Sequence, residues 1–174
     1  MVVELKEIIN DAPQTILKAI ENFTCQDDDV ESFLKNKAFD FERRNKSRTY
    51  LVFDDFGVLL GYFSLTLNAL LFSESVSKNA IKRIDGFSKD VQAVGMIMIG
   101  QFGKDACLAK DISGGSLLNI CLEIVCQVQS LVGGRAVMLE CHDLPKVVEF
   151  YRHNGFEVLQ YDKRDKYLQM VRLL

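Results

Sequence analysis

The chain of 174 residues lacks several features that would point to particular classes of protein. It has no excess of positive charge, because 24 acidic side chains outnumber 21 basic ones and the formal net charge is −3. Overall charge therefore does not favour a nucleic acid or an anionic membrane as partner. No apolar run reaches the roughly 18 residues of a membrane-spanning helix, and residues 1–7 have no signal-peptide pattern. We therefore expect no membrane association.

The sequence also lacks any metal-ligand spacing among its cysteines. They are odd in number, and two of them fall in an apolar helical pattern. Because free cysteine is among the most buried residue types, we predict reduced, buried thiols with a structural role, no metal site and a reducing, cytoplasmic environment. The five positions are Cys25, Cys107, Cys121, Cys126 and Cys141.

What the chain does contain is ordinary for one soluble globular domain, which we expect to cover residues 1–174. Hydrophobic residues make up 48% of the sequence and charged residues 26%. Such a composition is typical of globular enzymes, and a chain of this length can bury roughly 70% of its unfolded surface.

Apolar residues at helical spacing predict two helices in the N-terminal part of the chain. Asp11 is placed to cap the first, and Asp28 with Glu31 forms an Asp-x-x-Glu capping pair for the second. The phenylalanines of the second helix either form a core stripe or line a hydrophobic substrate pocket, and we favour the core stripe. They are Phe33, Phe39 and Phe41.

A hairpin and a polar connection come next. Strands over 49–53 and 58–67 flank the turn signal Asp54–Gly57. Residues 73–91 are polar, with a short helix expected near 79–84. This connection either covers a binding site or is a plain surface loop.

The segment from Ala93 to Cys141 reads as a strand, a helix and a second strand. Ala93–Gly103 is strongly apolar with three glycines, and glycine inside a strand marks a bulge or a close approach of backbone. A helix over Gly115–Leu131 and a strand over Ala136–Cys141 follow at the roughly 30-residue spacing of a crossover unit. The helix carries an apolar stripe that we expect to pack on the sheet, namely Leu117, Leu118, Cys121, Ile124, Val125, Val128 and Leu131.

Two local motifs carry chemistry. Gly114 and Gly115 precede the long helix, so a bound group can approach the backbone closely, and the helix offers its free N–H groups to an anion. Further on, Tyr151 stands in the segment Phe150-Tyr151-x-x-x-Gly155-Phe156. The chain thus combines a candidate phosphate loop with a placed phenol.

This combination, together with the order of the elements, resembles the GNAT superfamily of acyl-CoA-dependent N-acetyltransferases. The segment Gly61-Tyr62-x-x-Leu65 is similar to the third strand of many members. The resemblance implies an α/β (α+β) GNAT fold: a mixed, twisted central sheet with splayed parallel fourth and fifth strands and flanking helices. Phe23-x-Cys25 and Phe33-Leu34 are similar to the short, toxin-like branch of the superfamily.

The resemblance implies acetyl-CoA as cosubstrate. It puts the pantetheine arm against the main chain of Phe102, Gly103 and Lys104. The family loop reads Arg/Gln-x-x-Gly-x-Gly/Ala, from which Lys110 and Ser113 depart: lysine still supplies a point cation, whereas serine tolerates positive φ poorly. The implied pyrophosphate contacts are Lys110, Asp111, Ile112, Ser113, Gly114, Gly115 and Ser116.

Tyr151 is the implied general acid. Acetyl transfer from a thioester to an amine expels a thiolate, and a phenol with a pKa near ~10 can protonate the departing sulfur. The alternative is an ordinary packing aromatic. Phe150 and Phe156 fit as residues that hold the tyrosine in place.

Other chemical candidates are weaker. Glu140 or Asp105 could accept the amine's proton through water, although solvated strand-end carboxylates are the favoured interpretation. His142 and His153 are interpreted as surface residues. Asp143 is expected to cap the tyrosine helix, with Pro145 in its first turn.

Three functional hypotheses follow. The first is an acetyl-CoA-dependent N-acetyltransferase acting directly on the primary amine of a small molecule, peptide or protein. The second is a toxin-type enzyme that acetylates aminoacyl-tRNA, and the third is a non-catalytic CoA-binding module. The basic run Arg43–Arg48 could meet RNA or cofactor phosphates, but a solvated helix end is favoured. Since the family often forms dimers, the resemblance also leaves a homodimer open.

Overall fold

The computed structural model describes residues 1–108, 111–164 and 166–174, and these form seven strands and seven helices. In chain order they are β1 (Val2–Glu4), α1 (Leu5–Ile8), α2 (Gln14–Asn22), α3 (Asp28–Asn36), α4 (Ala38–Arg43), β2 (Arg48–Phe53), β3 (Leu59–Leu71), α5 (Lys78–Asp85), β4 (Ala93–Lys104), α6 (Gly114–Val132), β5 (Ala136–Cys141), α7 (Pro145–His153), β6 (Glu157–Asp162) and β7 (Tyr167–Leu173).

The strands make one mixed sheet in the order β1-β2-β3-β4-β5-β7-β6. The pairs β1–β2, β2–β3, β5–β7 and β6–β7 are antiparallel, whereas β4 and β5 are parallel. A parallel pair needs a long crossover, which α6 provides. The predicted mixed sheet with parallel fourth and fifth strands and flanking helices is confirmed.

The parallel register of β4 and β5 is short. Ile97 pairs with Val137, Met98 with Met138, and Ile99 with Leu139. Both strands run on beyond this register, β4 to Lys104 and β5 to Cys141. This is the arrangement expected of strands that splay at one end.

The chain divides into two compact units. The first contains residues 1–66 and 100–123, and the second contains residues 67–99 and 124–174. Strands β3 and β4 and helix α6 contribute residues to both units. The prediction of one domain over residues 1–174 stays a prediction.

The core of the first unit joins α2 and α3 to strands β2 and β3. Buried residues of this core include Phe23, Phe33 and Tyr62, and their rings meet edge-on at 5.6 Å (Phe23–Tyr62) or stacked at 6.5 Å (Phe33–Tyr62). The Tyr62 hydroxyl donates to the Val30 carbonyl, which fastens α3 to β3. Phe39 and Phe41 pack against the same core, so the predicted packing role is confirmed, but the single predicted helix is wrong because these two residues lie on α4 and Phe33 lies on α3.

Helix boundaries in this unit differ from two sequence-based expectations. The cap of α3 is Asp27, whose Oδ1 accepts the N–H groups of Asp29 at 3.0 Å and Val30 at 3.3 Å, so Asp28 was the wrong residue. Asp11 does not cap α2, which begins at Gln14 after Pro13 with no side-chain cap. Proline fixes its φ angle at a value that suits the start of a helix. Its missing N–H costs no hydrogen bond there, because the first N–H groups of a helix have no partner inside the helix.

A bulge in β4 follows from the directions of its glycines. A Cβ on Gly100 would meet Ser64 Oγ at 3.3 Å, and a Cβ on Gly103 would meet Val30 Cγ1 at 2.6 Å. Ser64 and Tyr62 share one face of β3, and Tyr62 contacts Val30, so both glycines face the same side. Strand side chains alternate with a period of two, so residues three apart can share a face only if an extra residue is inserted.

The core of the second unit lies on one face of β4, β5 and β7, beneath α5. It contains Leu70, Ile84, Met96, Ala136, Met138 and Val171. Helix α5 falls within the 73–91 connection as expected and is capped by Ser77, whose Oγ accepts the Ala80 N–H at 3.1 Å. The connection is therefore part of the fold of this unit.

Helix α6 is long and apolar enough, by length and composition, to cross a membrane. Its polar residues nevertheless fall on one exposed face, including Ser116, Asn119 and Glu123, while the opposite face is buried. Such a one-sided pattern is typical of a helix packed on a soluble core. Leu131 is 84% exposed, so the predicted apolar stripe ends one turn earlier. Gly133 and Gly134 have φ of 78° and 118° and terminate the helix as predicted.

The cysteines are only partly as expected. All five are free, and Cys121 and Cys141 are buried, whereas Cys107 and Cys126 are exposed. Cys121 and Cys126 are the two cysteines in the apolar helical pattern, but Cys126 lies five residues after Cys121, which rotates it to the other side of the helix. The prediction of uniformly buried thiols is wrong for these two.

Candidate active site

The turn after β4 is built on a buried carboxylate. Asp105 is 6% exposed; its Oδ2 accepts the Thr24 N–H at 3.0 Å, and its Oδ1 accepts the N–H groups of Cys107 at 2.8 Å and Leu108 at 3.1 Å. The expectation of a solvated strand-end carboxylate is wrong for Asp105. These bonds come from main-chain donors, so Asp105 organises the loop.

The loop before α6 is tied back to the end of β4. Lys104 Nζ donates to the Ile112 carbonyl at 3.3 Å, and Ile112 itself is buried. The Asp111 N–H donates to the Leu108 carbonyl at 3.0 Å. Lys110 lies outside the described residues, so its phosphate contact stays a prediction. A cation from Lys104 is nevertheless held beside this loop.

Ser113 caps helix α6. Its Oγ accepts the Ser116 N–H at 2.9 Å and lies 2.7 Å from the Ser116 Oγ, and its carbonyl accepts the Leu117 N–H at 3.1 Å. Ser113 does not have positive φ, since in the described chain that conformation occurs only at Asn45, Lys166 and five glycines outside this loop. Serine at position 113, where the family has glycine, therefore caps α6 and causes no backbone strain.

With Ser113 as cap, Gly114 and Gly115 are the first two residues of the helix. The first N–H groups of a helix have no partner inside the helix, and the helix dipole favours an anion at this end. Neither residue has a side chain to block access. These two N–H groups are therefore the ones that could hold an anion such as a pyrophosphate, since the Ser116 N–H already donates to the cap.

The segment Phe102–Lys104 lies in the bulged end of β4. A Cβ on Gly61 would stand 2.8 Å from both the Gly103 carbonyl oxygen and Leu117 Cδ2, so β3, β4 and α6 approach each other closely here. Cys25 Sγ lies 3.1 Å from the Cβ position of Gly103. Burial raises the pKa of the Cys25 thiol, which disfavours its thiolate form.

Tyr151 is 8% exposed on α7 in the second unit. Its ring meets Phe150 at 5.0 Å and Phe156 at 5.7 Å, both in edge-on geometry. Its carbonyl accepts the N–H groups of Asn154 and Phe156 at 3.0 Å each. The two phenylalanines thus hold the tyrosine as the sequence indicated.

The ends of α7 differ in part from expectation. Pro145 is the first helical residue, but the cap position is Leu144 with no side-chain bond, so the prediction that Asp143 caps this helix is wrong. At the other end Gly155 has φ of 83°, a conformation that suits glycine, and Arg172 donates to the Asn154 carbonyl at 2.9 Å.

The remaining candidates, two histidines and Glu140, differ in how far they are exposed to solvent. His142 and His153 are exposed, the first against the Tyr167 ring at 4.8 Å, as surface histidines would be. Glu140 is half-buried, and its Oε1 accepts a bond from Gln169 Nε2 at 2.8 Å. Sequence reasoning missed Gln169 and its neighbour Gln160. The only available signal was a glutamine inside each of the last two strands, which is too common to single out.

The predicted site residues thus fall into two groups. The second unit contains Tyr151 and Glu140. The first unit contains the residues at the end of β4 and the start of α6, namely Phe102, Gly103, Lys104, Asp111, Ile112, Ser113, Gly114, Gly115 and Ser116. In the first unit the hydrogen bonds above join the end of β4 to the start of α6. In the second unit Gln169 donates a hydrogen bond to the carboxylate of Glu140, and Phe150 and Phe156 pack against the ring of Tyr151.

Solved structures identify the fold. No protein-family model and no curated protein matches the chain. A structure described as a bacterial toxin superposes with a TM-score of 0.76 at 16% identity, covering 99% of this chain and 90% of that one. A mutant of KacT gives 0.70 at 20% identity over 97% and 92%. AtaT in complex with acetyl-methionyl-tRNAfMet gives 0.68 at 19% identity over 86% and 85%.

These similarities establish the fold of the chain. It is the fold of the toxins AtaT and KacT, in agreement with the GNAT architecture that the sequence indicated. A mutant of AtaT has also been solved with acetyl-CoA and the C-terminus of the antitoxin AtaR. The sequence identity to these proteins is 20% or lower, so the similarity shows the fold of the chain, and the bound molecules are ligands of AtaT.

Proposed function

We propose that this chain is an N-acetyltransferase that moves an acetyl group from acetyl-CoA to a primary amine. The observation that carries the proposal is the start of α6: a serine cap, two glycines whose N–H groups suit a pyrophosphate, and a lysine tied to the preceding loop. The fold shared with AtaT, which has been seen with acetyl-CoA, supports the same substrate.

Transfer is direct in this proposal. The neutral amine attacks the thioester carbonyl, a tetrahedral intermediate forms, and the carbon–sulfur bond breaks. Tyr151 gives its phenolic proton to the departing thiolate, so that free CoA leaves as a thiol. Burial and the two edge-on phenylalanines pack around the ring, and a positioned acid needs such support.

For the acceptor we propose the amino group of an aminoacyl-tRNA. One support is the similarity to AtaT, which has been solved with acetyl-methionyl-tRNAfMet. The other is the basic run at the end of α4. Arg44 and Arg48 are held by carboxylates, but Arg43 and Lys46 lie over the rings of Phe39 and Phe41 at 5.9 and 5.3 Å. These two exposed cations have no carboxylate partner among the described residues and suit phosphate contacts.

Such an acceptor places the enzyme in the cytoplasm, where its five free cysteines would stay reduced. A small-molecule, peptide or protein amine remains the alternative acceptor class. The net charge of −3 favours that alternative, because it weakens the general attraction to RNA.

Acetyl-CoA is expected to stabilise the folded protein by about 2.7 kcal/mol when present at a hundredfold excess over its Kd. Desulfo-CoA should stabilise it nearly as well, since the α6 amides would contact the phosphates and not the sulfur. Thermal unfolding at increasing ligand concentration measures this. Absence of any shift with millimolar acetyl-CoA contradicts the proposal.

Thiol release from acetyl-CoA is expected with aminoacyl-tRNA and not with the corresponding free amino acid amide. A panel of aminoacyl-tRNAs, peptides and small amines, with deacylated tRNA as control, makes the comparison. Release with small amines alone would keep the transferase and remove tRNA as its acceptor. Stabilisation by acetyl-CoA without release on any acceptor would instead indicate a non-catalytic binding module.

A further inference from the structure

The helix that carries Tyr151 ends two residues after it, and the turn that follows is closed by main-chain hydrogen bonds. The last carbonyl groups of a helix have no partner inside the helix. Here the Tyr151 carbonyl accepts the N–H groups of Asn154 and Phe156 at 3.0 Å each. The Arg152 carbonyl accepts the Gly155 N–H at 3.0 Å, and the positive φ of Gly155 lets the chain reverse. The turn thus holds the backbone of Tyr151 on its C-terminal side.

Asn154 closes the same turn a second time through its side chain. Its Nδ2 donates to the Phe150 carbonyl at 2.7 Å, so one residue satisfies two successive helix carbonyls, one with its main chain and one with its side chain. A carbonyl can only accept, so the atom of Asn154 that faces it must be the amino group. Phe150 is also the residue whose ring meets Tyr151 at 5.0 Å. The Asn154 side chain therefore supports the turn from which both rings project.

Arg172 of β7 holds this turn from the sheet. Its Nη1 donates to the Asn154 carbonyl at 2.9 Å, and a Cβ on Gly155 would stand 3.5 Å from its Nε. Arg172 is half-buried, and among the described residues no carboxylate pairs with it. A cation suits this place, because the C-terminal end of a helix is the negative end of its dipole. The guanidinium is thus directed at the end of α7.

The strand that carries Arg172 is a fixed base for this contact. β7 lies between β5 and β6 in the sheet. Arg172 pairs with Val137 of β5, and its neighbour Val171 pairs with Glu157 of β6. A shift of β7 would break hydrogen bonds on both sides, so the strand cannot follow small movements of the helix. Arg172 therefore ties the end of the tyrosine helix to the most constrained part of the second unit.

We propose that Arg172 and Asn154 are positioning residues for Tyr151. The inference rests on the proposed function, in which the phenol protonates the departing thiolate, and it names two side chains that keep the phenol in place. Neither residue touches the reacting atoms, because each acts through the last turn of α7. Proton transfer needs hydrogen-bond distance between donor and acceptor, and a displacement of about 1 Å can cost up to roughly 10²-fold in rate.

The test is Arg172→Met, which removes the guanidinium and keeps most of the aliphatic stem. With the best acceptor of the panel, kcat should fall by about tenfold, whereas the acceptor KM and the Kd of acetyl-CoA should stay within about twofold. Asn154→Ala should produce a similar loss in kcat. Arg172→Lys keeps the cation and should recover part of the rate. Arg152→Met removes an exposed arginine of α7 itself and is the matched control, with kcat unchanged.

A double-mutant cycle separates positioning from a general effect on the fold. In Tyr151→Phe no acid remains to be misplaced, so adding Arg172→Met should lower kcat by less than about twofold. If Arg172 served only the stability of the fold, the two losses would multiply. Thermal unfolding shows whether each variant is folded at the assay temperature. If Arg172→Met is not, Asn154→Ala and Arg172→Lys are placed in the same cycle.

The outcomes distinguish this inference from the function on which it rests. Wild-type kcat in both Arg172→Met and Asn154→Ala overturns the inference and leaves the transferase in place. Losses that multiply with that of Tyr151→Phe, or a raised acceptor KM at constant kcat, overturn it as well. A wild type that releases no thiol with any acceptor overturns the proposed function, and the inference with it.

Discussion

Tyr151→Phe is expected to lower kcat by about 10²-fold or more while acetyl-CoA affinity changes little. The substitution keeps the ring and its contacts with Phe150 and Phe156 but removes the only proton that the phenol could give. Loss of a general acid raises the barrier of thiolate departure without touching the binding of the nucleotide end. Steady-state rates with the best acceptor of the panel, together with a CoA titration, measure both quantities.

The matched control for this prediction is Tyr161→Phe. Tyr161 is 46% exposed on β6, and loss of its hydroxyl should leave kcat unchanged. A wild-type rate for Tyr151→Phe would remove the acid role and leave the residue as part of the scaffold. A similar fall in both variants would indicate a general effect of tyrosine loss on folding.

Gly61→Ala is expected to destabilise the fold by about 1–3 kcal/mol, the usual cost of overpacking a tight site. The new methyl group would stand 2.8 Å from the Gly103 carbonyl oxygen and from Leu117 Cδ2, and the first of these is backbone that cannot rotate away. Denaturant unfolding measures the free-energy difference. A shift of β4 at this point should also weaken acetyl-CoA binding, because Gly103 belongs to the predicted pantetheine segment.

Gly95→Ala is the control for Gly61→Ala. Gly95 also lies inside a strand, but nothing stands within 4 Å of its Cβ position and its φ is not positive. Alanine there should be neutral or stabilise by up to about 0.5–1 kcal/mol, since glycine loses more backbone entropy on folding. Equal free energies of unfolding for the two variants would contradict the close approach at Gly61.

Much of the architecture could be predicted from periodicity because burial repeats along the chain. The β5 bounds Ala136–Cys141 were predicted residue for residue, and α6 differs by one residue at each end. The first residue of a helix could not be predicted from the sequence where several neighbouring residues have the same side chain. Asp27, Asp28 and Asp29 all carry a capping carboxylate, and only the path of the backbone before α3 selects Asp27.

Of the candidate site, the sequence indicated the glycine loop and Tyr151, because both are local patterns. It did not predict the cap formed by Ser113, which was judged only as a poor substitute for glycine. The burial of Asp105 was also missed, because its main partner Thr24 is 81 residues away in the chain. A strand-end aspartate in a sequence carries no sign of such a partner.

By itself, the sequence determined the kind and order of the elements, the crossover that makes two strands parallel, and the positions of the loop and the tyrosine. These depend on periodicity and turn chemistry within a few residues of each other. The tertiary structure alone decided the pairing of Asp105 with Thr24, the exposure of Cys126 and the hydrogen bond that Gln169 donates to Glu140. Those features depend on which distant residues face one another, and strand register and helix rotation settle that only when the chain has folded.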